Sequence, residues 1–193
     1  MPCRKRRWVP AGLLVMLILA GCAGTHRAYL NDQADLEFYS RVAVVPFWTT
    51  AGDRDAGVRL ADLFTTELMI TGKYEVVEPG RFRNLLAEKQ VSLDPQRRGL
   101  PRDKVKEVGE AAGAQALFEG TVLSYEMARV GQSSFPLITV ELRMVDVESG
   151  ELIWMTTLTR KGGPTVPFFG WGEIHTLDEL AQKVAQDLAR SVP

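Results

Sequence analysis

Side chains that commonly act as nucleophiles, bases or metal ligands are scarce in this sequence. It contains two histidines, His26 and His175, and two cysteines, Cys3 and Cys22. Nucleophilic catalysis needs a Ser or Cys beside a base, and a metal site needs several converging ligands. Neither histidine has a partner at such a spacing, and no Gly-x-Ser-x-Gly or Walker motif occurs. The sequence therefore predicts no catalytic residue, no metal site and no cofactor.

Charge is nearly balanced over the whole chain. The 23 basic and 24 acidic residues give a net charge of -1, whereas proteins that bind nucleic acid usually carry a basic excess. Hydrophobic residues make up 46% of the 193 residues and charged residues 24%, which is typical of one folded domain and not of a disordered chain. Nucleic acid is therefore not an expected partner.

The amino-terminal head has the pattern of an export signal. A basic cluster at residues 4–7 precedes the apolar run at residues 13–20, and small residues follow that run. The apolar stretch over residues 8–20 has 13 residues, whereas a helix that spans a membrane needs about 20. We therefore predict that residues 1–21 are a signal peptide that is removed.

The junction Leu19-Ala20-Gly21-Cys22 resembles the lipobox of bacterial lipoproteins. In such proteins the cysteine is acylated and the chain is cut directly before it, which predicts Cys22 as the lipidation site, with palmitate as a label for its acyl chains. No other cysteine would remain in the mature chain, so no internal disulfide is expected. The alternative is a buried structural cysteine behind an ordinary signal peptide.

The predicted lipid also predicts a location. Several acyl chains make membrane attachment effectively permanent, at about 0.8 kcal/mol per buried methylene. Ala23 follows the cysteine, and by resemblance to Gram-negative lipoproteins the absence of aspartate there favours the outer membrane, with the body in the periplasm. Residues 22–40 lack clear periodicity and are predicted to be a lipidated tether, which would reach about 60 Å at most.

The first half of the remaining chain alternates between strand and helix patterns. The β-branched run at residues 41–47 predicts a strand buried on both faces, and residues 74–77 predict a second strand. Apolar residues at helical spacing predict one helix that ends at Gly72 and two more that begin near Pro79 and Pro101.

The second half has a different pattern. Residues 116–127, 137–147 and 152–159 predict three antiparallel strands joined by short turns. A capping box that begins at Thr176 predicts a final amphipathic helix. We therefore predict an α/β (α+β) domain over residues 41–193, in which one layer of helices covers a mixed sheet of about five strands.

Three aromatic residues, Phe168, Phe169 and Trp171, lie close together in a segment rich in glycine and proline, residues 162–172. Loops usually lie on the surface, and exposed aromatic residues are typical anchors of protein interfaces. We hypothesise that these three side chains bind a partner. The alternative is that they cover the core beneath the last helix.

Six short segments follow one another through the predicted domain. They are RVAVVPF at 41–47, KYEVVE at 73–78, LLAE at 85–88, GAQAL at 113–117, LRMVDV at 142–147 and SGELIW at 149–154. This series resembles the CsgG family of outer-membrane and periplasmic lipoproteins, which includes the curli secretion component CsgG and relatives such as LpoB. The resemblance implies a small α/β domain, anchored by its N-terminal lipid, that acts through protein contacts and not by catalysis.

The resemblance implies a role in envelope assembly or secretion, with unidentified envelope proteins as partners and an oligomer as one arrangement. The CsgG pore takes two long hairpins from each subunit, and each membrane strand needs about 9–11 residues. Residues 131–136 are too few, and prolines and glycines interrupt residues 161–176. We therefore expect no pore from this chain alone. The alternatives are an LpoB-like regulator of a peptidoglycan synthase and a subunit of a curli-type channel.

Overall fold

The computed structural model describes residues 27–93, 98–131, 133–163 and 173–193. These residues form strands and helices in the following order: β1 (Arg27–Leu30), β2 (Arg41–Val44), β3 (Trp48–Thr49), α1 (Ala56–Thr71), β4 (Glu75–Val76), α2 (Pro79–Glu88), α3 (Arg102–Ala112), β5 (Ala116–Val130), β6 (Ser133–Asp146), β7 (Leu152–Lys161) and α4 (Leu177–Ser191). A 3-10 helix, Leu36–Phe38, lies between β1 and β2. Within the described ranges, no helix combines the length and apolar character that crossing a membrane requires.

One mixed sheet holds the strands together, in the order β1-β7-β6-β5-β2-β4, with β3 beside β5. Strand β2 is parallel to both of its neighbours, whereas β5, β6, β7 and β1 pair antiparallel in turn. The predicted α+β class and the burial of β2 on both faces are confirmed. The predicted helix ends at Gly72 and Thr176 are also confirmed, because Gly72 caps α1 with φ 66° and the Thr176 hydroxyl accepts the Glu179 N–H at 3.2 Å.

Helices cover both faces of this sheet. Val42 and Val44 pack with α1 and α4 on one face, whereas Ala43 and Val45 pack with α2 and α3 on the other. The prediction of one helix layer is therefore wrong. A parallel strand that is apolar at every position has two faces to cover, and the continuous run of β2 already implied a second layer.

Strand β1 lies in the segment that the sequence analysis assigned to the tether. It pairs with β7 in the register Arg27↔Thr157 to Leu30↔Trp154, so the prediction of a tether through residue 40 is wrong for residues 27–30. All four residues of β1 are exposed. The strand is held by main-chain hydrogen bonds at the sheet edge and buries no side chain, which is why it has no hydrophobic pattern to detect.

The hairpin of β5 and β6 is longer than predicted. Its pairing continues out to Val130↔Ser133, whereas the predicted strands stopped at residue 127 and began at residue 137. Met127 and Arg129, near its outer end, are exposed. The burial that marks the inner part of these strands is lost there, although the main-chain pairing continues.

Candidate interaction surfaces and a buried ion pair

The predicted partner-binding residues Phe168, Phe169 and Trp171 lie outside the described residues. The two ends of their segment are described, and they meet. Gly163 and Ile174 form an antiparallel bridge in which the Gly163 N–H donates to the Ile174 carbonyl at 3.1 Å. The described residues on either side of the aromatic segment therefore lie next to each other.

This base is fixed to the start of β6. The Gly162 N–H donates to the Pro136 carbonyl at 2.7 Å, and the Lys161 ammonium lies 4.8 Å from the centroid of the Phe135 ring. A Cβ on Gly162 would overlap the Pro136 ring and the Ile174 carbonyl, so a larger residue there would separate the strands. The base of the aromatic segment is thus positioned between the long hairpin, the end of β7 and the start of α4.

Of the two histidines, only His175 lies in the part of the chain that the structure describes, and it belongs to no cluster of potential metal ligands there. The His175 side chain is exposed, with its Nε2 atom 3.5 Å from a Glu173 carboxylate oxygen. No three His, Cys, Asp or Glu side chains converge among the described residues. His26 and the predicted lipidation site Cys22 lie outside those residues. The absence of catalysis therefore stays a prediction.

Sequence reasoning missed one buried ion pair. The Glu119 side chain on β5 is only 1% exposed, and its Oε2 atom accepts from Arg143 on β6, at 2.8 Å from Nε and 2.6 Å from Nη2. The other oxygen, Oε1, accepts the main-chain N–H of Leu100 at 2.9 Å. Strand alternation places Glu119 on the same face as the buried Leu117, and this was the one signal of its burial in the sequence.

The ion pair holds the segment before α3 against the sheet. Gly99 lies so close to Arg143 that a Cβ at this position would overlap the guanidinium group. Burial raises the pKa of Glu119 above its ordinary value, while the Arg143 charge and the Leu100 N–H oppose this effect. Removing Arg143 would leave the buried carboxylate with one uncharged donor.

We expect Arg143→Met to lower the free energy of unfolding by about 3 kcal/mol at neutral pH, because breaking a buried pair leaves an uncompensated charge. A raised pKa in the folded state means that the folded protein binds a proton more readily than the unfolded chain. The stability that a raised Glu119 pKa adds is fully present below the pKa of the unfolded chain and is lost as the pH rises through the pKa of the folded protein. The loss caused by Arg143→Met should therefore shrink on acidification, which urea unfolding at several pH values would measure.

The double variant Glu119→Gln with Arg143→Met is the matched control. Glutamine keeps an acceptor for the Leu100 N–H and cannot ionise. The stability of the double variant should therefore lack the pH dependence expected for Arg143→Met. If Arg143→Met loses the same stability at every pH, Glu119 is not the group responsible.

Comparison with known proteins identifies the family of this chain. Residues 28–182 match the family model described as curli production assembly/transport component CsgG. The chain belongs to the CsgG family. The match to CsgG begins within β1 and ends within α4, so it includes the edge strand that the sequence analysis left in the tether. The resemblance inferred from the six segments is confirmed.

Two of the solved structures similar to this chain share its fold at low sequence identity, with TM-scores above 0.5. The PelC dodecamer from Paraburkholderia phytofirmans has 19% identity and a TM-score of 0.57, covering 86% of this chain and 94% of that one. Lipoprotein GNA1162 from Neisseria meningitidis has 18% identity and a TM-score of 0.56, covering 79% and 99%. The LpoB C-terminal domain from Salmonella enterica has 20% identity and a TM-score of 0.39, covering 63% and 82%. No curated protein sequence is significantly similar to the chain.

Proposed function

We propose that this protein is a lipid-anchored component of the outer membrane that acts through protein contacts, without catalysis, in envelope assembly or secretion. Membership of the CsgG family carries the proposal, because the match spans residues 28–182. The similarity to a protein described as a lipoprotein, GNA1162, supports the same assignment. The predicted lipid on Cys22 supplies the anchor, and the domain faces the periplasm.

The anchor leaves the domain little freedom. Strand β1 begins at Arg27, five residues after Cys22, so at roughly 3.3–3.6 Å per residue the free chain reaches about 18 Å. The tether is therefore much shorter than the 60 Å that the sequence analysis allowed. A protein held this close to one membrane suits partners in or near that membrane.

The proposed partner surface is the aromatic segment together with its base. Phe168, Phe169 and Trp171 lie in the sequence between Gly163 and Ile174, the two residues that are bridged. The hydrogen bond from the Gly162 N–H to the Pro136 carbonyl and the Gly163–Ile174 bridge hold that base against the domain.

Crosslinking in cells tests this function. We expect the lipidated protein to capture specific envelope proteins, and to produce no stepwise conductance when added to planar bilayers. PelC, a similar structure, is a dodecamer, so the crosslinked species should also be sized in detergent. A large ring would favour assembly with other copies, whereas a monomer or small oligomer would favour a regulatory role.

Two results would contradict the proposal. Stepwise conductance from the pure lipidated protein would show that it forms a pore by itself. Crosslinked products that contain only cytoplasmic proteins, from cells in which the protein is not exported, would place it outside the envelope.

A further inference from the structure

Two adjacent apolar side chains on β1 are exposed. Tyr29 is 53% exposed and Leu30 is 42% exposed. The remaining exposed large apolar residues of the described chain are Phe38, Val58, Met69, Ile70 and Met127. Since all four residues of β1 are exposed, the domain core does not use these two side chains.

Their orientation points to the edge of the sheet as a contact surface. Successive side chains of a strand point to opposite faces, so Tyr29 and Leu30 lie on opposite sides of β1. A partner that covered one face of the sheet would reach one of the two residues. A surface that met the edge would reach both, because β1 is the last strand of the sheet on that side.

The short length of chain between Cys22 and β1 indicates that a membrane is the surface next to this edge of the sheet. If Cys22 is lipidated, as the proposed function requires, its acyl chains lie in the bilayer and Arg27 is at most about 18 Å from that cysteine. The headgroup layer itself is about 5–8 Å thick on each side of a bilayer. Tyr29 and Leu30 follow within three residues, on a strand that is paired to β7.

Charge does not account for such a contact, but apolar burial does. After removal of the predicted signal peptide, 19 basic residues remain against 24 acidic residues, a net charge of -5. Anionic headgroups would repel a body of that charge. Tyrosine rings favour the membrane interface, where the ring is buried and the hydroxyl stays hydrated.

We propose that the β1 edge, defined by Tyr29 and Leu30, lies against the phospholipid headgroups of the anchoring membrane. This contact fixes the orientation of the domain, with the edge of the sheet toward the bilayer. The inference rests on the proposed lipid anchor and deepens it, since the lipid attaches the protein and the β1 edge orients it.

Depth-dependent fluorescence quenching tests the contact on the full lipidated protein. A cysteine is introduced at Tyr29 or Leu30 and labelled with the environment-sensitive dye NBD, because acylation of Cys22 leaves no other thiol in the mature chain. The protein is reconstituted in vesicles of phosphatidylethanolamine and phosphatidylglycerol, with or without doxyl-labelled lipid. We expect several-fold quenching by the doxyl lipid at both positions.

Met69 and Ile70 on α1 are the matched control pair, since they too are adjacent, exposed and apolar, and Ile70 is 72% exposed. A reporter at Ile70 should be quenched little, and so should one at Met127 on the hairpin. Equal or stronger quenching at Ile70 would overturn the proposal, because it would place α1 on the membrane. Quenching confined to Met127 would overturn the proposal, because it would place the outer end of the β5–β6 hairpin at the membrane. An absence of quenching at all positions would also overturn it, because it would place the domain away from the lipid.

The mass of each labelled sample separates this inference from the proposed function. If the protein carries acyl chains but shows no quenching at Tyr29 or Leu30, the result contradicts the β1 edge contact and does not contradict the anchor. A protein that carries no acyl chain contradicts the proposed anchor, and the contact with it. The pair Tyr29→Ser and Leu30→Ser, with a reporter at Ala28, should remain folded and lose its quenching.

Discussion

Replacing Cys22 with serine is expected to release the protein from the outer membrane completely. The predicted lipid is attached through the thiol, and a serine hydroxyl would not take its place. Without acyl chains the anchor loses about 0.8 kcal/mol for each methylene no longer buried, which is far more than any surface contact of the domain supplies. Growth with labelled palmitate followed by cell fractionation would measure both the loss of label and the move to the soluble periplasm.

Cys3→Ser is the matched control, because Cys3 lies in the predicted signal peptide and should be removed with it. This variant should keep both its label and its membrane location. If Cys22→Ser still takes up palmitate or still sediments with outer membranes, the anchor lies elsewhere and the predicted location has lost its basis.

Replacing Phe168, Phe169 and Trp171 together with serine is expected to abolish crosslinking to the partner while leaving the unfolding midpoint nearly unchanged. Substitutions at exposed sites usually change stability by less than about 0.5 kcal/mol, whereas truncating one buried large aromatic residue costs about 3–5 kcal/mol. The two interpretations of this segment therefore differ in a thermal or urea unfolding curve. Crosslinking of the same variant in cells gives the second measurement.

A triple serine variant of Val58, Met69 and Ile70 is the matched control, since these exposed apolar residues lie on α1, which does not contribute to the loop base. It should unfold normally and still capture the partner. A loop variant that unfolds much more easily would show that the aromatic residues cover the core. One that stays stable and captures the same partner would show that the binding surface is elsewhere.

The parts of the fold that could be predicted are those that bury a regular pattern. Strand β2 and helices α1 and α4 pack against the core with regularly spaced apolar residues. These three elements could therefore be inferred from the sequence. Strand β1 could not, because it gains its place from main-chain hydrogen bonds to β7 and its side chains remain exposed. The second helix layer was missed for a different reason, since the run of β2 implied that both faces are covered but did not show which helices cover each face.

The candidate sites divide in the same way. The local spacing around Cys22 and the aromatic cluster at residues 168–171 are visible in the sequence, yet both lie outside the described residues and stay predictions. The Glu119–Arg143 pair joins residues that are 24 positions apart, and charged residues in strands usually point to solvent. Its burial depends on the packing of Leu100 over the sheet, which no local pattern encodes.

The pairing of β1 with β7 also sets the order in which the domain can fold. Arg27 meets Thr157, a residue 130 positions later in the chain, and β2 must wait for β5 in the same way, since Val42 meets Ala116. Contacts between distant parts of a chain carry a large loop-closure entropy and slow folding. Because a chain is synthesised from its amino terminus, β1 is made long before β7, the strand with which it pairs. The edge strand nearest the proposed anchor can join the sheet only after the β5–β7 meander has been made.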